Sequence, residues 1–272
     1  MFRRSLAVAI ISVSVTVLSF APASPASATT PKTALIYGDS LTYESRFQIA
    51  SRFALKTGWI PHVHAFGGLA PCNWASWVDA DLAAYQPSIV GMLTAGNSGG
   101  LSGFGSSCMV DGNGVPLAMG SGAYYAKYQT DLATILAKVT ATGARVVFFA
   151  APPFSDPVRT TITKQLTVIA TNLAYQYHGV SISSTVRSAL GLAYTDTKPC
   201  LATETPEMGC SVTTGRIPIR TLPGHVDSGL HLCPAGLVAG TAGVCSTYSS
   251  GEFRFARAEV NALVAPPPPK LP

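Results

Sequence analysis

Gly38-Asp39-Ser40-Leu41 closes an apolar run at residues 33–37. A strand that ends in a tight turn and continues as a helix exposes a side chain at the carboxyl edge of a sheet. It also aims unpaired helix N-terminal N–H groups at that side chain. Ser40 is therefore a candidate nucleophile toward an acyl carbon, with its own N–H helping to hold the oxyanion. Gly-Asp-Ser by itself more often marks an ordinary turn. Three further strings change that balance. Gly68-Leu69-Ala70-Pro71-Cys72-Asn73-Trp74 follows a strand-like stretch at 60–66. Gly96-Asn97 follows another at 88–93. Asp227-Ser228-Gly229-Leu230-His231-Leu232-Cys233-Pro234 stands near the C-terminus. Ester cleavage needs a nucleophile, a base and donors for the tetrahedral oxyanion. Ser40 supplies the first and His231 the second. The Ser40 N–H, the Gly68 N–H and the Asn97 side-chain amide supply the third. Glycine suits position 68 because a Cβ would hinder close approach of the backbone to a ligand; Gly67 takes its place if the turn is offset by one.

Serine, glycine, asparagine and histidine in this order resemble the SGNH (GDSL-type) hydrolase superfamily. The resemblance spans essentially all of the chain after its N-terminal segment. Gly-x-Ala-Pro-Cys-Asn-Trp and Leu-His-Leu-Cys-Pro are similar in detail to secreted SGNH domains that act on acyl groups of bacterial cell-envelope carbohydrate. The resemblance also selects His231 over His225, its rival six residues upstream in the same loop. His62 and His64 lie on a strand-like run and His178 follows a helix, which marks them as structural or exposed. Two departures stand out. Ala95-Gly96-Asn97-Ser98 replaces the usual Gly-x-Asn-Asp. The family places Asp three residues before the histidine, where this chain has Ser228, with Asp227 one further back. The expected partner of His231 is then Asp227 or a backbone carbonyl, with Asp227 favoured.

The elements that must position these groups follow from periodicity. Val146-Val147-Phe148-Phe149 is a continuous apolar run, as in a strand covered on both faces. Leu132, Ile135, Leu136 and Val139 recur at helical spacing before it. Residues 162–177 read as a helix, 180–182 as a last short strand and 252–263 as a closing helix. This alternation predicts an α/β fold: a single-domain, three-layer α/β/α sandwich with a mostly parallel sheet of about five strands, SGNH- or flavodoxin-like. Residues 99–122 hold eight glycines and break the rhythm. A loop of that length next to Asn97 is expected to line the site. Its Asp111-Gly112-Asn113-Gly114 reads as a plain turn, because the twelfth position of a calcium loop would be Gly122. Residues 195–220 read as a disulfide-pinned insertion before the histidine loop. Trp74 and Trp77, one helical turn apart, suit a sugar face and core packing equally.

Residues 1–28 read as a secretory signal: Arg3 and Arg4, an apolar stretch, then Ala26-Ser27-Ala28. The apolar stretch is shorter than the roughly 20 residues of a spanning helix, and prolines follow it. The expected organisation is signal peptide 1–28, hydrolase domain 29–265 and a proline-rich tail 266–272. Past the signal there remain 16 basic and 13 acidic residues, a net charge of +3. That mild excess, without a basic run interleaved with aromatics, argues against nucleic acid. All six cysteines follow the signal, an even number that favours disulfides in an exported chain. Fifteen pairings are possible. Sequence proximity makes Cys200–Cys210 and Cys233–Cys245 the simplest, leaving Cys72–Cys108. No cluster has convincing metal spacing, and no cofactor is expected.

These features lead to a secreted or wall-associated serine esterase, monomeric and without stable membrane insertion. It would remove a small, acetyl-like O-acyl group from carbohydrate through an acyl-serine. Transfer of the acyl group to a wall glycan would use the same residues. A non-catalytic envelope-binding protein that keeps the fold is the alternative of a different class.

Overall fold

The computed structural model describes residues 30–99, 107–225, 227–238 and 243–266. The expected signal segment, part of the glycine-rich loop and most of the proline-rich tail lie outside the described residues. Five parallel strands form the central sheet: β1 (Lys32–Gly38), β2 (Trp59–Ala65), β3 (Ile89–Leu93), β4 (Arg145–Phe149) and β5 (Val180–Ser183). Their spatial order is β2-β1-β3-β4-β5. Helices α1 (Ser40–Ala54), α2 (Pro71–Tyr85), α3 (Gly122–Ala141), α4 (Pro157–Gln176), α5 (Thr185–Leu190) and α6 (Ser250–Val264) complete the main layers. This is the α/β/α architecture that the alternating periodicity implied, with every strand pair in the sheet parallel.

β1 shows why three layers form. Ala34, Leu35, Ile36 and Tyr37 are all fully buried. Successive strand side chains point to opposite faces, so a run of four apolar residues needs cover on both sides. Leu35 and Tyr37 join one core with Trp74, Val78, Leu132, Ile135 and Leu166 from α2, α3 and α4. Ala34 and Ile36 join a second core with Ile49, Phe53, Val186, Phe255 and Leu263 from α1, α5 and α6. Trp74 is therefore a core residue, fully buried and stacked on Tyr37 at 5.7 Å between ring centroids. Trp77 is half-buried and stacks on His64 at 4.2 Å.

The helices start where side chains can satisfy their first N–H groups. Asp39 caps α1, Ser121 caps α3, Asp156 caps α4 and Ser249 caps α6, each accepting from a backbone N–H of the first turn. Sequence periodicity alone did not reveal α5, nor the antiparallel pair β6 (Thr197–Pro199) and β7 (Arg216–Pro218) inside the insertion. Those strands are three residues each, too short to show an alternation. The insertion is closed by Cys200–Cys210, and the other bridges are Cys72–Cys108 and Cys233–Cys245. Asp111 Oδ1 accepts from Asn113 N at 2.8 Å and Val115 N at 2.9 Å, a plain turn. Among the described residues no helix is long and apolar enough to cross a membrane.

Order β2-β1-β3 makes the gap between β1 and β3 a point where the winding of the sheet reverses, the place where open α/β sheets bind ligands at the carboxyl ends of their strands. β1 delivers Ser40 there and β3 delivers Asn97. Gly38 lets the turn between β1 and α1 close: a Cβ on Gly38 would lie 2.2 Å from Thr42 Cβ and Oγ1. Gly38→Ala is therefore expected to be destabilising by about 1–3 kcal/mol, the scale of overpacking. Thermal unfolding of the variant measures it; an unchanged midpoint would mean that the turn opens without cost.

Candidate active site

Ser40 is the first residue of α1, so its N–H has no partner within the helix. The side chain is half-exposed. Asp39, immediately before it, is fully buried. Its Oδ1 accepts from Leu41 N at 3.2 Å, capping α1, while Oδ2 accepts from Ala95 N at 2.5 Å, in the segment leaving β3. One carboxylate thus ties the turn of Ser40 to the turn of Asn97. Burial pushes the Asp39 pKa up to about 6, although the two N–H donors, Arg159 and His231 oppose the shift. Charge on Asp39 is still the favoured state at neutral pH.

Gly68 and Asn97 reach the same edge of the sheet from two loops that are fastened together. Gly68 has a left-handed backbone, with φ of 77°, which favours glycine for a different reason from the close approach expected. Its O accepts from Gly99 N at 3.0 Å, and among the described residues its N–H has no partner. Asn73 bridges the loops, accepting from Ala70 N at 3.0 Å and donating to Gly99 O at 3.1 Å. The Cys72–Cys108 bridge joins the start of α2 to the segment after Asn97. The Asn97 backbone O accepts from Tyr124 and Tyr128 hydroxyls at 3.0 and 3.1 Å. Its Oδ1 accepts from Arg159 at 3.2 Å, and its Nδ2 is buried without a hydrogen-bond partner.

His231 sits on the long connection between β7 and α6, and the loop is pinned on every side. His231 O accepts from Thr221 N at 3.1 Å. Leu232 O accepts from Ser249 Oγ at 2.6 Å, and Cys233 is bridged to Cys245. Beneath the loop, the buried Arg220 donates to Pro153 O at 2.9 Å and Leu230 O at 3.4 Å.

The group that holds His231 Nδ1 is Glu44, not Asp227 and not a backbone carbonyl. The Glu44 Oε1 pairs directly with Nδ1, and Oε2 accepts from Leu232 N at 3.0 Å. Glu44 is 2 % exposed and lies four residues after Ser40 on α1, so both sit on one helical face. Asp227 is exposed, has a left-handed backbone with φ of 60°, and touches His231 only through its charge. Gly229 does not swing it onto the imidazole. The sequence signal for Glu44 was present as an acidic residue one turn past the serine, but a helix-borne acid is invisible to a search of the histidine's own loop. Burial works against protonation of His231, but the Glu44 carboxylate, with help from Asp227 and Asp39, more than offsets it and raises the pKa. His225, the rival histidine, is exposed.

A second buried acid lies behind the histidine loop. Glu252 Oε1 is 3.7 Å from Cys233 Sγ. A disulfide sulfur has no proton, so the carboxyl is the donor. That agrees with burial and the neighbouring Glu44 pushing the Glu252 pKa up to about 8. Among the described residues, Cys233, Cys245 and Glu252 form a group with metal-ligand spacing, but both sulfurs are consumed in the bridge. A separate His–Asp pair, His64 Nδ1 to Asp81 at 2.8 Å, also holds the Tyr37 hydroxyl at 2.7 Å and packs β2 against α2.

No family model and no curated protein matches the chain. Solved structures do. An acetylxylan esterase from Geobacillus stearothermophilus, a catalytic mutant, is 12% identical, with a TM-score of 0.42 over 59% of this chain and 78% of that one. The esterase EstA from Pseudoalteromonas sp. is 20% identical, with a TM-score of 0.37 over 59% and 82%. A lipase/acylhydrolase from Enterococcus faecalis is 14% identical, with a TM-score of 0.40 over 56% and 74%. All three likenesses are distant in sequence and partial in shape.

Two measurements follow from the carboxylates. If Glu44 holds the base, Glu44→Gln should cut kcat by up to about 10⁴, the scale of losing a triad acid. The acid limb of kcat/KM, which reports the base of the free enzyme, should also move to lower pH, since the raised His231 pKa falls when its carboxylate is removed. Asp227→Asn should cost less than roughly tenfold, about 1.4 kcal/mol. The reverse ranking would return the role to Asp227. For Glu252 the folded pKa is raised, so the unfolded chain binds fewer protons between about pH 4.5 and 8, and stability falls as pH rises through that window. Glu252→Gln should flatten this decline in a series of denaturant titrations; a parallel pH dependence in the two proteins would show that Glu252 is ionised throughout.

Proposed function

We propose that this chain is a serine ester hydrolase of the SGNH type. The observation that carries the reading is the pairing of Ser40 and Glu44 on one face of α1, with Glu44 holding Nδ1 of His231. An imidazole gripped at Nδ1 by a carboxylate has its Nε2 available as a base, and its cationic form is stabilised once it takes a proton. Ser40 Oγ attacks the ester carbonyl while Nε2 accepts its proton. The oxyanion forms beside the Ser40 N–H, the Gly68 N–H and Asn97 Nδ2. Collapse expels the alcohol, which takes the proton from His231. Water then attacks the acyl-serine by the same base and donors, releasing the acid and regenerating Ser40.

The finer assignment is an exported enzyme acting on a small, acetyl-like O-acyl group of carbohydrate at the cell surface. Three disulfides in one chain suit an oxidising compartment. The Gly-x-Ala-Pro-Cys-Asn-Trp and Leu-His-Leu-Cys-Pro strings support the envelope-carbohydrate class. The test is incubation with a chromogenic acetyl ester, with and without a sugar acceptor, followed by intact mass. Turnover and a transient mass increase of one acetyl group on the protein are expected, both lost in Ser40→Ala with the fold retained. Acetyl appearing on the sugar instead of in water would make the enzyme a transferase. Hydrolysis undiminished in Ser40→Ala would remove Ser40 from the mechanism.

A further inference from the structure

We infer that Arg159 is a positioning residue for the oxyanion donor: it dictates which end of the Asn97 carboxamide faces the substrate. The inference rests on the serine-hydrolase reading and adds to it a residue that no sequence string had marked.

A carboxamide is nearly symmetric in shape but opposite in chemistry at its two ends, one an acceptor and the other a donor. Asn97 serves the proposed reaction only if Nδ2 faces the reacting carbonyl. Reversed, it would present a lone pair to a developing oxyanion. The backbone cannot decide this, because χ2 of asparagine is broad and roughly two-fold. The neighbours can. Arg159 Nη1 lies 3.2 Å from Asn97 Oδ1 and 3.1 Å from Ala95 O. A guanidinium only donates, so it accepts nothing from an amide nitrogen and fixes the oxygen on its own side. Nδ2 is thereby turned away from Arg159. It is buried, and it has no partner among the described residues. A buried donor is costly to leave unpaired. Here the arrangement is specific, because the other polar atoms of the same residue are well served: Oδ1 by Arg159, and the backbone O by both Tyr124 and Tyr128. The donor left over is the one that the oxyanion needs.

Arg159 is itself built in. It lies in the first turn of α4, behind the Asp156 cap and Pro157. It is half-buried, and its guanidinium sits 6.0 Å from the centre of the Phe154 ring. Its bond to Ala95 O meets the same residue whose N–H is held by Asp39. The segment leaving β3 is thus gripped by an anion at Ala95 N and by a cation at Ala95 O and Asn97 Oδ1. The cation orients the side chain that the anion's grip places.

The test is a double-mutant cycle on the acetyl-ester reaction with Arg159→Met, Arg159→Lys and Asn97→Ala, read as separate kcat and KM values. Asn97→Ala should lower kcat by about 10²–10³, the scale of losing one oxyanion donor. Arg159→Met should lower kcat at least tenfold with KM changed less than about threefold. In the Asn97→Ala background the same change should cost less than threefold, because there is no amide left to orient. Arg159→Lys, which keeps one donor, should recover part of the loss. Full additivity, or an effect confined to KM, would overturn the inference in favour of a separate role or of substrate binding. A second readout needs no turnover. Side-chain amide NMR of Asn97 should show the NH₂ protons remote from Arg159 in the wild type and reoriented in Arg159→Met. If the wild type hydrolyses no ester, the serine-hydrolase reading fails while this spectrum still decides the orientation. An unchanged amide signature in Arg159→Met would refute the positioning role.

Discussion

The site depends on one buried carboxylate. Asp39 has no contact with solvent, yet it accepts one N–H from the first turn of α1 and one from the segment that leaves β3. Strands β1 and β3 are neighbours in the sheet, and their ladder ends at the pair Tyr37–Met92. Without a cross-link beyond the last ladder pair, the two turns would be free to vary in spacing. A charge-assisted bond on each side closes that freedom. Removing a carboxylate from water is costly, and burial pushes its pKa up to about 6 against the pull of its N–H donors, Arg159 and His231. The N–H groups that it satisfies would otherwise be orphaned at a helix start and a strand exit.

The remaining supports follow the same logic of joining one loop to the next. Asn73 and the Cys72–Cys108 bridge fasten the glycine loop to the asparagine loop. Glu44 fastens the histidine loop to the serine helix. Ser249 and the Cys233–Cys245 bridge fasten it to α6. Apart from the opening turn of α1, the contributing segments are loops with little regular structure of their own, so precision at the site comes from side chains that reach between segments, anchored on rigid strands and helices.

Much of this was legible in the residues. The buried strands announced themselves as continuous apolar runs, because a parallel sheet between helices leaves no polar face to interrupt them. Helices α3, α4 and α6, of 15–20 residues, carried enough turns to show their period. The three-residue strands of the insertion and the six-residue α5 did not, being shorter than the window that a period needs. Ser40, Gly68, Asn97 and His231 were visible because each follows a strand or sits in a recognisable string. Glu44 and Arg159 were not, because what marks them is what they face across the fold. Asp227 drew attention by being close in sequence to the histidine, whereas the acid that grips the imidazole is far in sequence and adjacent in space.

The placement of Glu44 has an architectural consequence. Ser40 and Glu44 are spaced along one helix, about 6 Å of rise over four residues, so their relative position is set by helical geometry. Lengthening or shortening the histidine-bearing connection, residues 219–249, leaves that pair untouched and alters only how the imidazole arrives between them. A single residue inserted between positions 40 and 44 would instead rotate the acid by about 100° around the helix and out of register with the serine. The spacing of Ser40 and Glu44 thus rests on the opening turn of one helix, whereas the approach of His231 rests on the bridge and hydrogen bonds that fasten its connection.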